Sequence, residues 1–392
     1  MGTTRESGEA YLDWAASTPM RAEAVEAMVA AAHAGFGNPT GAHHAARVAR
    51  RIVDDARDQV ADALGAAPSE VIFCGSGTEA DNLAIFGARR PGDHVACSAV
   101  EHHGVLHPVE HLDGTVIGVD AQGQLNLEQL AAICDDQLAV VSVMAANNET
   151  GVIQPLEPIR AVLDEHAPQA LLHTDAVQAF PWLDVATHAA AADLITISGH
   201  KFGGPKGVGA LVVRSGATLT PQVLGGGQEF EMRSGTHNVA GIAALGVAVA
   251  AMAAERHAVV GRVAALRDRL VRGVRAIVPD VIESAIDPVG GQQAFARPIT
   301  KVAGSAHLCF PGIESEALLF LLERAGIYAS AASSCASGAQ DPSHVLAAMG
   351  YPRELAAGSL RLSLGYGSTD GDVDRALAVI PDAVLQLRAA AA

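Results

Sequence analysis

Aromatic side chains are scarce in this chain: phenylalanine, tryptophan and tyrosine make up 4% of its 392 residues. Its core must therefore be filled mainly by aliphatic groups, and alanine supplies much of the helical sequence. Positive charge is also short, with 26 Lys and Arg against 43 Asp and Glu and a formal net charge of −17. That balance excludes a broad basic surface, so nucleic acid is not expected as a direct partner. The five cysteines (Cys74, Cys97, Cys134, Cys309 and Cys335) are odd in number and include no C-x-x-C pair. A disulfide framework or structural zinc site is thereby disfavoured. The sixteen histidines contain no H-E-x-x-H pattern, although His107 and His111 lie four apart, and no metal is expected. No uninterrupted apolar run reaches the roughly 18 residues of a membrane span. Met1 to Glu9 is polar and acidic, which predicts a cytoplasmic protein without a leader or a membrane partner.

What is present is alternation. Apolar, β-branched runs at 71–74, 94–98, 115–119, 138–144, 171–174, 193–198 and 209–213 predict seven strands. Helical patterns at 79–87, 104–111, 127–134 and 156–166 separate most of them, and two more precede them at 21–34 and 43–64. Such alternation predicts an α/β fold with a mostly parallel sheet covered by helices on both faces. The run at 209–213 follows its predecessor too closely for a crossover helix and should be the one antiparallel strand. A helical stretch from Val239 to about Ile277 is expected to break near His257. The length allows a second core. We expect a large domain over 17–256 and a smaller α+β domain formed by 1–16 and 257–392.

In open α/β sheets, ligands bind beyond the carboxyl ends of the strands. Five predicted strand ends deliver polar groups there. The first opens into Gly75-Ser-Gly77-Thr78-Glu79, a turn whose N–H groups suit a phosphate and equally suit a plain helix cap. The others lead to Glu101-His102-His103, to Asn147-Asn148-Glu149, to Asp175-Ala-Val-Gln178, and to Ser198-Gly-His200-Lys201. A lysine desolvated at a buried strand end can be neutral near pH 7 and so able to attack an aldehyde. These residue types fit pyridoxal 5′-phosphate. Lys201 would carry the aldehyde, Asp175 would keep the ring nitrogen protonated, and His102 would stack on the ring and move protons.

Ser198-Gly-His-Lys201, Asp175-Ala-Val-Gln178, Gly77-Thr-Glu-Ala-Asp-Asn82, Glu101-His102, Asn147-Asn-Glu149 and Arg233-Ser-Gly-Thr236 together resemble the cysteine desulfurases. These are NifS/IscS-like members of the class-V aminotransferases, with the fold-type-I PLP-dependent transferase architecture. The likeness runs from Tyr11 to about Ile380. It implies that Gln178 and Asn148 bond the ring hydroxyl region and that Gly77, Thr78, Ser198 and His200 hold the phosphate. It implies further that Thr236 reaches the phosphate of a second subunit in a homodimer. Arg361 would pair with the substrate carboxylate, with Asn148 beside it. Trp14 and Ser17 depart from the family pattern and are expected at the substrate entrance, away from the cofactor.

Cys335 lies in a run of small and polar residues, 329–344, whose composition predicts a mobile loop. The segment resembles the longer loop of the NifS/IscS-like group, whose cysteine accepts sulfur as a persulfide. The implied reaction converts L-cysteine to L-alanine, with Lys201, His102 and Cys335 as catalytic groups. Sulfur would pass to an acceptor protein, either an iron–sulfur scaffold or a tRNA-thiolation enzyme. A selenocysteine lyase or aminotransferase of the same fold, or a non-catalytic scaffold, are the alternatives.

Overall fold

A computed structural model describes residues 8–289, 295, 298–331 and 343–391. The chain opens with a two-residue strand, β1 (Ala10–Tyr11), then helices α1 (Ala22–Ala34) and α2 (His44–Leu64). The α/β alternation follows as β2 (Val71–Cys74), α3 (Gly77–Ala88), β3 (His94–Ser98), α4 (His103–His111) and β4 (Thr115–Ile117). It continues through α5 (Leu127–Ile133), β5 (Leu138–Ser142), α6 (Leu156–His166), β6 (Leu171–Asp175), the short α7 (Val185–His188), β7 (Leu194–Ser198) and β8 (Gly209–Val213). The seven strands β2 to β8 form one sheet in the order β2-β8-β7-β6-β5-β3-β4. As expected, β8 is antiparallel to both neighbours while the remaining pairs are parallel.

Burial on the two sheet faces follows the period of two. Ile72, Cys74, Leu194 and Leu211 pack with Ala80 and Leu83 of α3 on one face. Val71, Phe73, Ile195 and Val212 point the other way, into a cluster with residues of α2 and of a long helix, α8 (Val239–Ile277). The expected break near His257 does not occur: α8 is one helix of 39 residues. His257 is exposed and flanked by alanine-rich sequence, so nothing there disfavours helical backbone. By length and composition α8 could cross a bilayer, but half of its most apolar window is buried, against α1, α2 and α12.

Beyond α8 lie β9 (Ile282–Glu283), β10 (Ser305–Cys309), α9 (Ser315–Arg324), β11 (Ile327–Tyr328), α10 (His344–Ala348), α11 (Arg353–Ala356), β12 (Ser359–Ser363) and α12 (Asp370–Ala391). Strands β12, β10 and β9 form an antiparallel sheet. The amino-terminal segment joins this part of the chain, β1 pairing in parallel with β11 and Asp13 bridging to Ser363. Leu308, Leu360 and Val384 belong to the same apolar cluster as Ile195 and Val212, so the core runs unbroken between the two sheets.

Candidate active site

The carboxyl ends of β2, β3, β5, β6 and β7 meet one open cleft of about 770 Å³, closed on its far side by residues 13–17, 329–331 and Arg361. On the β2 side, Ser76 caps α3 by accepting from the Glu79 N–H at 3.0 Å. The sequence allowed either a cap or a phosphate turn; the cap is present, and Gly77 and Thr78 also line the cleft. A side chain at 77 would press on Val177 at 3.1 Å and Ser198 at 3.3 Å, so glycine is what lets the helix start come against the end of β7.

Behind this turn is a firm support. The Glu229 carboxylate accepts from both Arg57 terminal nitrogens (2.6 and 3.0 Å), from the Phe73 N–H (2.7 Å) and from His237 (2.7 Å, with the ring protonated at Nε2). Burial works to raise its pKa, but these partners prevail and hold it below the ordinary carboxylate range. Glu229, Phe230 and Glu231 all have positive φ (49°, 56° and 69°), a conformation costly for residues with a Cβ. Arg233, just beyond, pairs with Glu79 at 2.6 Å.

Lys201 follows β7, and its Nζ donates to the Ala15 carbonyl at 2.6 Å and the Ala16 carbonyl at 3.0 Å. Burial, with Arg361 adding to it, lowers its pKa to about 8, while Asp175 and Asp13 oppose the shift. Gln178 donates to the same Ala15 carbonyl at 2.7 Å. Asp175, at the end of β6, accepts from the Val177 N–H at 2.8 Å, and burial pushes its pKa up to about 6. It therefore remains largely ionised at neutral pH, as a partner for a protonated ring nitrogen must be.

His102 caps α4, its Nδ1 accepting from the Gly104 N–H at 3.0 Å. Burial, followed by Lys201 and the neighbouring His103, His344 and His107, lowers its pKa to about 4. The ring is thus neutral at physiological pH, with Nε2 left for exchange with a bound molecule. Two further buried carboxyls lie at or beneath this floor. Asp81 of α3 lines the cleft, with Oδ1 unpartnered among the described residues and 3.7 Å from His173 Nε2. Glu101 accepts from the Met144 N–H through one oxygen, and its other oxygen is unpartnered among the described residues. Burial, then the crowding of like charges, raises the pKa of Asp81 well above the usual range; burial does the same for Glu101.

Arg361 of β12 faces this floor. Its Nη1 donates to the Asn148 carbonyl at 3.0 Å and its Nη2 to Asp13 Oδ1 at 2.8 Å. Its Nε, like Asn148 Oδ1, is buried without a partner among the described residues. Trp14 is buried rather than at an entrance, and Gly365 lies so close to its ring that an added Cβ would fall 2.1 Å from it. Ser17 lies 3.3 Å from His200 Nδ1, so this departure touches an expected phosphate ligand instead of standing clear of the cofactor site.

Of the expected site residues, Lys201, Asp175, Gln178, His102, Gly77, Thr78, Asn148, Ser198, His200 and Arg361 share the cleft. Thr236 does not. It is exposed and lines a separate recess with Gly75 and Arg233. Cys335 lies outside the described residues. Sequence reasoning missed Asp13 and Asp81, although both stand inside segments it had singled out. The close approach at Gly77, the ionised Asp175 and the two unpartnered polar atoms, Arg361 Nε and Asn148 Oδ1, fit pyridoxal phosphate carrying an amino acid.

The chain matches the aminotransferase class-V family over residues 10–376. It is 44% identical to an IscS-like cysteine desulfurase of Mycobacterium tuberculosis, over 97% of this chain and 98% of that one. It is 40% identical to a cysteine desulfurase IscS of Methanosarcina thermophila, over 98% and 94%. A solved NifS-like protein superposes with a TM-score of 0.86 at 31% identity, covering 95% of this chain and 98% of the other. A NifS-like protein of Rickettsia africae gives 0.85 at 28%, covering 96% and 99%.

Proposed function

Because this chain belongs to the class-V aminotransferases, and among them to the cysteine desulfurases, we propose the following division of labour within its cleft. The reaction is pyridoxal phosphate-dependent removal of sulfur from L-cysteine. The observation that carries the assignment of roles is Lys201, a largely buried amine with a pKa of about 8 that lines the same cleft as Asp175 and feels its charge.

Thr78, Ser198, His200 and the Gly77 end of α3 hold the phosphate. Asp175 holds the ring nitrogen, and Gln178 and Asn148 the ring hydroxyl. When bound, the cofactor supplies an aldehyde for the substrate amine and a ring that takes up the electron pair released at Cα. Arg361 binds the substrate carboxylate. Lys201, neutral once freed, accepts the Cα proton at Nζ, and His102 exchanges a proton with the substrate thiol through Nε2. The Cys335 thiolate attacks the substrate sulfur. The C–S bond breaks with its electron pair left on the carbon side, an S–S bond forms on Cys335, Cβ gains a proton and Cα regains one from Lys201, so that L-cysteine leaves as L-alanine.

An iron–sulfur scaffold or a tRNA-thiolation enzyme as the acceptor, a homodimer in which Thr236 serves the partner's phosphate, and a cytoplasmic location belong to the same proposal. So does a division into a domain of 17–256 and one of 1–16 with 257–392, supported by the pairing of β1 with β11.

The test is Cys335→Ala. Purified protein should keep its cofactor absorbance and its spectral response to L-cysteine, while persulfide formation and sulfide release under reductant fall by at least about a hundredfold. Persulfide at the level of the parent protein would remove Cys335 from the reaction.

A further inference from the structure

The guanidinium of Arg361 is already partly engaged. Asp13 takes Nη2 at 2.8 Å and the Asn148 carbonyl takes Nη1 at 3.0 Å, while Nε is buried and unpartnered among the described residues. Both ends of the Asp13–Arg361 pair are fixed by backbone. Arg361 exchanges two hydrogen bonds with Ser330, at 2.7 and 3.3 Å. Asp13 is bridged to Ser363, whose hydroxyl also accepts from the Ala15 N–H at 2.9 Å. The side chains are 22% and 7% exposed. A pair immobilised and dried in this way interacts more strongly than a surface pair.

We propose that Asp13 is a specificity-determining residue: its fixed negative charge occupies one edge of Arg361, leaves the Nε edge for a single substrate carboxylate, and disfavours amino acids whose side chain carries a second negative charge. This rests on the assignment of Arg361 to the substrate carboxylate. Of the surrounding groups, Asp175 acts in the same sense. Asp175 lies in the floor as a carboxylate, Asp81 beside it is pushed toward its neutral form, and the facing cations are Lys201 and, at the rim, Lys206. Lys201, with a pKa of about 8, is mostly charged at pH 7 and faces the cleft from the end of β7. A second substrate anion brought to the Arg361 side of the cleft would meet the fixed charge of Asp13, whereas the neutral thiol of cysteine meets none of this cost.

Equilibrium titration of the holoprotein with L-alanine and with L-aspartate, followed by calorimetry, tests the proposal without turnover. In the parent protein L-aspartate should bind at least about tenfold more weakly than L-alanine, as expected of one uncompensated charge in a partly dried site. Asp13→Asn should shrink that ratio about tenfold, Asp13→Ser should do the same, and Asp13→Glu should retain it. Equal affinities in the parent overturn the proposal without any variant, as does an unchanged ratio in a folded neutral variant. Arg361→Lys examines the underlying assignment separately. It should weaken L-alanine, and unchanged L-alanine affinity there would displace Arg361 from the substrate site whatever Asp13 does.

Discussion

Two buried carboxyl groups flank the turn between β2 and α3 and behave in opposite ways. Glu229, behind the turn, has both oxygens saturated by Arg57, Phe73 and His237 and is held in its charged form. Asp81, in front of it, has an oxygen with no hydrogen-bond partner among the described residues and is pushed toward its neutral form. Burial is similar, at 5% and 1% exposure. The difference lies in hydrogen-bonding partners. A satisfied buried charge is scaffolding and holds a strained turn in place; an unsatisfied one marks a surface shaped for a ligand.

The contrast is broken most directly at Glu229. Glu229→Ala leaves Arg57 buried without its anion and should cost about 3–5 kcal/mol, measured by denaturant unfolding. A loss below about 1 kcal/mol would show that the support is ornamental. The cleft side should instead respond to protons. With Lys201 titrating at about 8, the neutral fraction of its amine rises from about a tenth at pH 7 to about nine tenths at pH 9. Uptake of pyridoxal phosphate by the apoprotein, followed by absorbance, should accelerate up to about tenfold over that range, and a flat profile would contradict it. The smallest effect is expected at Asp81. Because its carboxyl keeps a proton in the native state that the unfolded chain has released, its contribution makes stability fall as pH rises above the unfolded value near 3.8. Asp81→Asn removes that contribution, so the variant should be equal to or up to about 1 kcal/mol more stable than the parent at pH 7. The advantage should fade toward pH 4. A variant destabilised at pH 7 would place Asp81 with Glu229.

Much of the sheet and its functional edge was legible because both follow local rules. β2, β3 and β8 match the predicted ranges, and β8 is antiparallel because only a turn separates it from β7. The placement of Lys201, Asp175 and His102 in the cleft was legible because each lies at or just beyond the carboxyl end of a buried strand. Asp13 was not, because its meaning depends on a partner 348 residues away. Asp81 looks like an ordinary polar helix residue until α4 and β6 close over it. The break expected near His257 is absent because an exposed histidine does not interrupt a helix whose buried side is continuous.

The contact between Trp14 and Gly365 constrains the order in which this protein can change over generations. Any side chain at 365 collides with the indole, so that position is closed to substitution while Trp14 remains. Shrinking Trp14 first opens a void beside Tyr366, whose ring packs edge-on to it at 5.0 Å. The two sites are epistatic, and the accessible mutational path must pass through the smaller residue at 14 before 365 can gain a side chain. The segment that clasps Lys201 and presents Asp13 is thereby shielded from drift by a glycine with no chemistry of its own.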